Sequence, residues 1–391
     1  MTEPLVSLDL ARMRRDRIEK LRASMTAAGV DVLVLCGQSN VSYATGARVP
    51  AADHVRASWW RPVVVFEREA QWPQLFTDFP EGAPPDLPEA NVHPAIEVET
   101  RAGAAALDAR LPAGTLALDD APFPLWLALR DRTLVDGTVV MAPAKVIKTV
   151  DELECIRQAQ SINERAMREV RPRAVPGARA TDLTGAFLAA IAELGATANT
   201  VDPVFQVMPR RVADGPFSIT GEPVYPIPTR PRELARGDVM WVDTGINLSG
   251  YASDFGATWI IGTGPDDRAR VQHARWRDVV DHALTAVKAG ATAADVVQAA
   301  GLDHGRRPWL SYFYLAHGIG TDSAELPLVG TDLGPDFDAS FVLAPGMVLV
   351  FEPVIWDDGL AGHRSEEIVA VTTTGFVELS ARAELDPGAH P

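Results

Sequence analysis

Apolar residues recur at helical spacing from residue 9 to 28, and the run that follows, VDVLVLCG, is short and continuously apolar, as a buried strand is. SNVSYATGAR then reads as a polar turn region, with RPVVVFE and GTLALDD as further strands. This alternation predicts an α/β domain of roughly 140 residues. The pattern breaks between Ala144 and Val150. Thr149 and Glu152 have capping-box spacing, Asp151 adds negative charge to the first turn, and Leu153, Ile156, Ala159, Ala166 and Val170 continue at helical spacing. A long helix therefore opens a second domain, which divides the chain into residues 1–148 and 149–391. Beyond it, ATDLTGAFLAAIAELG and WRDVVDHALTAVKAGATAADVVQAA predict amphipathic helices, with Gly195 and Gly290 at their ends. The interleaved strands are DVMWVDTG, ASDFGATWII, MVLVFEPVIW and SEEIVAVT. Helices on one face of a curved antiparallel sheet is the economical architecture for this order, so the fold class is α+β.

Composition narrows the function. A chain of 391 residues suits two domains, and 47% apolar with 23% charged residues is ordinary for a soluble globular protein. The net charge of −16 argues against nucleic acid or an anionic membrane as partner, because phosphate binding needs clustered Lys and Arg. The one basic run, Arg12, Arg14, Arg15 and Arg17, alternates with apolar residues and reads as a solvated helix face. No run approaches ~18 apolar residues and no signal segment is visible, so a cytoplasmic enzyme is the expectation. Cys36 and Cys155 have neither zinc nor disulfide spacing and read as core thiols.

Chemistry enters at WVDTGINLSGYASDFGATW, residues 241 to 259. Two strand-like runs flank INLSG, and a turn centred between Leu248 and Ser249 sets Asp243 directly opposite Asp254, with Thr258 on the same face. Paired acids at about 5 Å repel unless a cation lies between them; the alternative is a surface hairpin with both acids solvated. Further on, YLAHGIGTD places His317 in a Gly-flanked loop, VLVFEPVIW buries Glu352, and GHRSEEIVAVT carries Glu366 and Glu367 facing opposite ways. Each alone has a structural reading. Together they supply four carboxylates and one imidazole without a thiolate, a set suited to Mn, Fe, Co or Zn. Two divalent cations would balance four carboxylates while binding a bridging hydroxide.

In that order, VDTGINLSGYASDFGATW, HGIG…ELP, PGMVLVFEP and GHRSEE resemble the ligand-bearing segments of the pita-bread metallopeptidases, the Xaa-Pro aminopeptidase, prolidase and creatinase family. RIEKLRASMTAAGVDVLVLCGQSNVSYATG is similar to the creatinase-type amino-terminal domain, and KVIKTVDELECIRQAQSINERAM resembles its junction. The resemblance implies a creatinase-type α/β domain followed by a pita-bread catalytic domain. It implies Asp243, Asp254, His317, Glu352 and Glu366 as ligands of two divalent metal ions, most often manganese, with Arg364 as their partner in GHRSE. Glu367 is the alternative fifth ligand, since hairpin parity with Glu352 favours it. Glu352 would shuttle the proton to the leaving nitrogen, and His363 could face substrate. Relatives are commonly dimers, so a homodimer is expected; Trp59, Trp60 and Arg61 could line a pocket, with a core or interface role as the alternative that large aromatics usually fill.

Three departures bear on the substrate. Ala324 stands where prolyl peptidases of this family carry histidine, PVYPIPTRP has no histidine before the first aspartate, and Ala257 replaces an arginine. The resemblance thus implies a metal-dependent C–N hydrolase acting on small peptides. A small-molecule amidohydrolase or lyase on the same scaffold is the alternative, and a non-enzymatic binding module the third.

Overall fold

The computed structural model describes residues 8–48, 61–214, 232–301 and 314–384. Trp59, Trp60, His54, His304, His390 and the PVYPIPTRP segment lie outside them. The chain divides into two compact units, Met1–Lys145 with Thr149–Asp151, and Val146–Lys148 with Glu152–Pro391.

The first unit contains α1 (Leu10–Ala28), β1 (Val32–Leu35), α2 (Gln38–Thr45), β2 (Val63–Glu67), β3 (Gln74–Phe76) and β4 (Val92–His93). Then come α3 (Arg101–Asp108), β5 (Thr115–Leu118), α4 (Phe123–Leu129), β6 (Thr133–Asp136) and α5 (Thr138–Val146). Its six strands form one mixed sheet in the order β4-β3-β2-β1-β5-β6. Both faces of that sheet are covered: Leu33, Leu35, Val64 and Phe66 enter one apolar cluster and Val32, Val34, Val63 and Val65 another. That is why β1 is apolar at every position instead of alternating.

Two expectations fail here for the same reason, burial. SNVSYATGAR is largely helical, because Val41, Tyr43 and Ala44 pack inward while Gly46 closes the helix in the left-handed conformation. Arg17 is buried beside the Tyr43 ring, and Arg14 and Arg12 pair with Asp86 and Asp151, so the basic run is not a solvated face. Asp119 is also buried, and its carboxylate accepts from the backbone N–H of Cys36 (2.5 Å) and Gly37 (3.3 Å) and from Asn40 Nδ2 (2.7 Å). Cys36 and Cys155 are both buried, and neither is in a disulfide.

The second unit runs through α6 (Val150–Val170), α7 (Ala180–Glu193), β7 (Ala198–Asn199), β8 (Val204–Val207), β9 (Val239–Thr244), β10 (Ile246–Leu248), β11 (Tyr251–Ala252) and β12 (Phe255–Ile260). It continues through α8 (Asp267–Thr285), α9 (Ala293–Ala299), β13 (Ala316–Gly318), β14 (Glu325–Val329) and α10 (Pro335–Ser340). It ends with β15 (Val348–Phe351), β16 (Ile355–Asp357), β17 (Ala361–His363), β18 (Glu367–Val371) and β19 (Phe376–Glu378). A three-stranded sheet, β12-β9-β8, packs Met240, Val242, Ala257 and Trp259 on α6 and α7. A five-stranded sheet, β14-β13-β15-β18-β19, packs Ala316, Leu349, Phe351 and Val369 on α8 and α9. The residues between these positions face the other way, by the two-residue period of a strand. No helix of the described residues is long and apolar enough to cross a membrane.

Candidate metal centre

Strand alternation decides which side chains meet. In β9, Met240 and Val242 face the helices, so Asp243 projects from the opposite face. The β9–β12 register pairs Asp243 with Gly256, not with Asp254. The expected pairing is off by two residues because the turn is centred one residue later, between Ser249 and Gly250, both at positive φ (54° and 89°), the backbone of a two-residue primed turn. Asp254 is therefore a diagonal neighbour on the same face. A Cβ at Gly256 would stand 2.3 Å from Glu366 Oε1, so the glycine makes room for that carboxylate. Ligand oxygens of Asp243, Asp254 and Glu366 lie within 4.8 Å of one another.

The other sheet supplies the rest. His317 pairs with Val350, which puts Glu352 diagonally beside it on the same face. His317 Nε2 stands 3.1 Å from Glu352 Oε1 and 3.4 Å from Asp254 Oδ2. Its Nδ1 lies 2.9 Å from the Gly318 carbonyl, which can only accept, so Nδ1 carries the hydrogen and Nε2 is the atom aimed at the acids. Between β15 and β18, Phe351 pairs with Glu367, so Glu352 lies opposite Glu366. Hairpin parity thus favours Glu366. The three-residue loop from Asp358 to Leu360, with Gly359 at φ 93°, sets this register. Glu367 points to the helix side, where Arg277 donates to both its oxygens at 2.5 and 2.9 Å.

Arg364 sits among the acids. Its Nε donates to Glu352 Oε2 at 2.8 Å and its Nη1 to Asp243 Oδ2 at 2.7 Å, while Nη2 closes on Glu352 and Glu366. Thr258 fixes the backbone below it, accepting from Arg364 N (2.9 Å) and donating to Arg364 O (2.7 Å). His363, one residue away, faces the other side. Its Nε2 is 3.1 Å from His273 Nδ1 and its ring packs on Trp276, so the expectation that it faces substrate is not met.

The electrostatics are those of crowded anions. Burial and the neighbouring Asp254 push the Glu366 carboxyl well above the usual carboxylate range. Asp243 is pushed up to about 6 by burial, which Arg364 only partly offsets. Burial also opposes ionisation of Glu352, but Arg364 and His317 outweigh it and bring that group down to about 2. His317, which burial alone would discharge, is raised well above its ordinary value by its hydrogen bonds to Asp254 and Glu352. Both Glu366 oxygens are buried without an aligned hydrogen-bond donor among the described residues; the nearby Arg364 Nη2 makes a Coulombic contact, not a directed bond. Buried carboxylate oxygens left without donors, in an oxygen-rich set with one imidazole, are what a hard or borderline divalent cation completes. The residues fit a metal centre.

The sequence reading passed over Asn163 and Gln160. Asn163 Nδ2 donates to Thr244 O (2.7 Å) and Ser253 Oγ (3.0 Å), and its Oδ1 accepts from Thr244 Oγ1 (2.9 Å). Gln160 Oε1 accepts from Asp254 N at 3.2 Å. Two polar residues three apart on a helix look like a wet face, and only the hairpin packed over them shows otherwise.

Comparison with known proteins agrees with this geometry. Residues 154–373 match metallopeptidase family M24, and residues 17–81 match the creatinase/prolidase N-terminal domain. A probable dipeptidase PepE of Mycobacterium bovis is 30% identical over 284 residues, covering 69% of this chain and 68% of the relative. An Xaa-Pro dipeptidase of Pyrococcus furiosus is 26% identical over 243 residues, covering 62% and 65%. The solved prolidase from Thermococcus sibiricus superposes with a TM-score of 0.75 at 20% identity, over 97% of this chain and 99% of that one, which bears on fold alone. Because the family M24 match at residues 154–373 spans more than half of the sequence, the chain belongs to metallopeptidase family M24 and is a metal-dependent hydrolase.

Proposed function

We propose that this protein is a dipeptidase or Xaa-Pro peptidase whose Asp243, Asp254, His317, Glu352 and Glu366 hold two divalent metal ions, manganese by preference. The observation that carries this reading is the convergence of Asp243, Asp254 and Glu366 oxygens within 4.8 Å, with His317 and Glu352 in contact beside them. When bound, such ions ready a water molecule for attack and polarise the scissile carbonyl. Glu352, held ionised by Arg364 and His317, is the group placed to take a proton and return it to the leaving nitrogen. Arg364 keeps Asp243, Glu352 and Glu366 aimed at one point. The Nδ1–H bond to Gly318 O fixes the His317 ring so that Nε2 stays turned inward.

The relatives named as dipeptidases support small peptides as substrates. A second reading, hydrolysis of a small amide on the same scaffold, is favoured by Ala324, which is exposed and offers no imidazole, and by Ala257, which lies in the apolar core. A cytoplasmic location and a homodimer belong to this proposal only as what the family resemblance of the sequence implies. One experiment separates the readings: metal analysis of the purified protein, then turnover of Xaa-Pro and other dipeptides against small amides and betaines. Peptide turnover that requires manganese and disappears in Asp254→Asn upholds the proposal. Turnover of amides alone transfers it to the second reading.

A further inference from the structure

The hairpin that carries Asp243 and Asp254 is held from outside at their level. Its register is continuous there, since Thr244 pairs with Phe255 and Asn247 with Ala252 in one count, and Ser253 N–H keeps its ladder bond to Ile246 O (2.9 Å). Other polar groups between those pairs bond elsewhere. Ile246 N–H donates to Ser253 Oγ (3.1 Å) instead of a strand carbonyl, Asp254 N–H donates to Gln160 Oε1 (3.2 Å), and the Gly245 carbonyl accepts from Thr200 N–H (2.9 Å). Asn163 ties the two strands together by taking Thr244 O, Thr244 Oγ1 and Ser253 Oγ. Asn163 is fully buried and Gln160 nearly so, on one face of α6. Both reach the helix-side face of the hairpin, opposite the face from which the aspartates project.

The outward-pointing backbone groups at this level need partners of their own, because buried N–H and C=O groups must be paired. Asn163 supplies one to Thr244 O and Gln160 one to Asp254 N–H. We propose that they are positioning residues: by anchoring Thr244, Ser253 and the Asp254 backbone, they set the spacing of the Asp243 and Asp254 carboxylates and so the affinity for metal. This rests on the reading of those two aspartates as ligands. Groups one layer behind a metal ligand commonly change affinity by about 10- to 100-fold when removed.

The test is a manganese titration of the full chain, with the dissociation constant from calorimetry and the melting temperature of the metal-free protein from circular dichroism. Asn163→Ala and Gln160→Met are expected to weaken manganese binding by about tenfold or more. Val296→Ala, which trims the apolar core on α9, measures what general loosening does and is expected to change affinity by less than about twofold at a comparable fall in melting temperature. Gln160→Met removes the acceptor for Asp254 N–H, along with a 3.3 Å bond to Glu164, at nearly constant volume, so it carries the test if Asn163→Ala does not fold. Affinities of the two α6 variants no weaker than that of Val296→Ala overturn the proposal. Asp254→Asn keeps the outcomes apart: if it binds manganese like the parent, the site reading itself fails, whereas if it loses the metal while the α6 variants keep it, only the positioning role fails.

Discussion

Asp119 in the first unit and the carboxylates of the second are all buried acids, yet they are treated in opposite ways. Asp119 receives three N–H donors, two of them backbone. Among the described residues neither Glu366 oxygen accepts an aligned hydrogen bond, and three of its neighbours within the cluster are also acids. An acid surrounded by N–H groups has been finished by the fold, and its work is to tie a strand end to a loop. Acids crowded together with few donors are unfinished, and the remaining coordination must come from outside the chain.

The largest test of this contrast is Asp254→Ala. Loss of a ligand should lower metal affinity by more than about 100-fold, beyond the range for supporting groups, and abolish peptidase turnover while the metal-free protein keeps its circular dichroism. Retention of stoichiometric manganese would break the comparison. Next, Arg364→Met removes the cation shared by Asp243, Glu352 and Glu366, and the metal-free protein should lose about 3–5 kcal/mol in urea denaturation. Asp119→Ala, by contrast, leaves Cys36 N–H and the Asn40 amide without an acceptor, so a loss of about 1–3 kcal/mol is expected with manganese affinity unchanged.

The smallest effect is on pH dependence. Asp243 and Glu366 are raised above their unfolded values, so what they contribute to metal-free stability is full below about pH 4 and is lost as pH rises, through about 6 for Asp243. Glu352 runs the other way: its contribution is present above about pH 4 and lost as pH falls toward 2. Metal binding requires the raised pair to ionise and so competes with protons. The rise in melting temperature on adding manganese should therefore be larger at about pH 7.5 than at about pH 5.5, and equal rises at both would count against these two acids as ligands.

Much of the candidate site was legible because acids in strands otherwise made of Val, Phe and Ile stand out, as Asp243 and Glu352 do. Alternation also gave the opposite facing of Glu366 and Glu367. What escaped depended on turns and on packing. Ser249 is not a residue that announces positive φ, so the hairpin was centred one residue early. His363 sits next to Arg364 in sequence, but that adjacency in a strand means opposite faces, a point that mere proximity to GHRSE concealed. The helix at Gln38 was hidden because its polar residues suggested a turn, and only the burial of Val41 and Tyr43 explains it.

One missing methyl has a wider consequence. Gly256 lies outside the left-handed region, and the three atoms nearest to a Cβ there all belong to Glu366, so it is that side chain which crowds a larger residue. Gly256→Ala is therefore expected to push the Glu366 carboxylate aside. On the proposed reading of Glu366 as a ligand, one added methyl would unmake the centre from the side opposite the apolar layers.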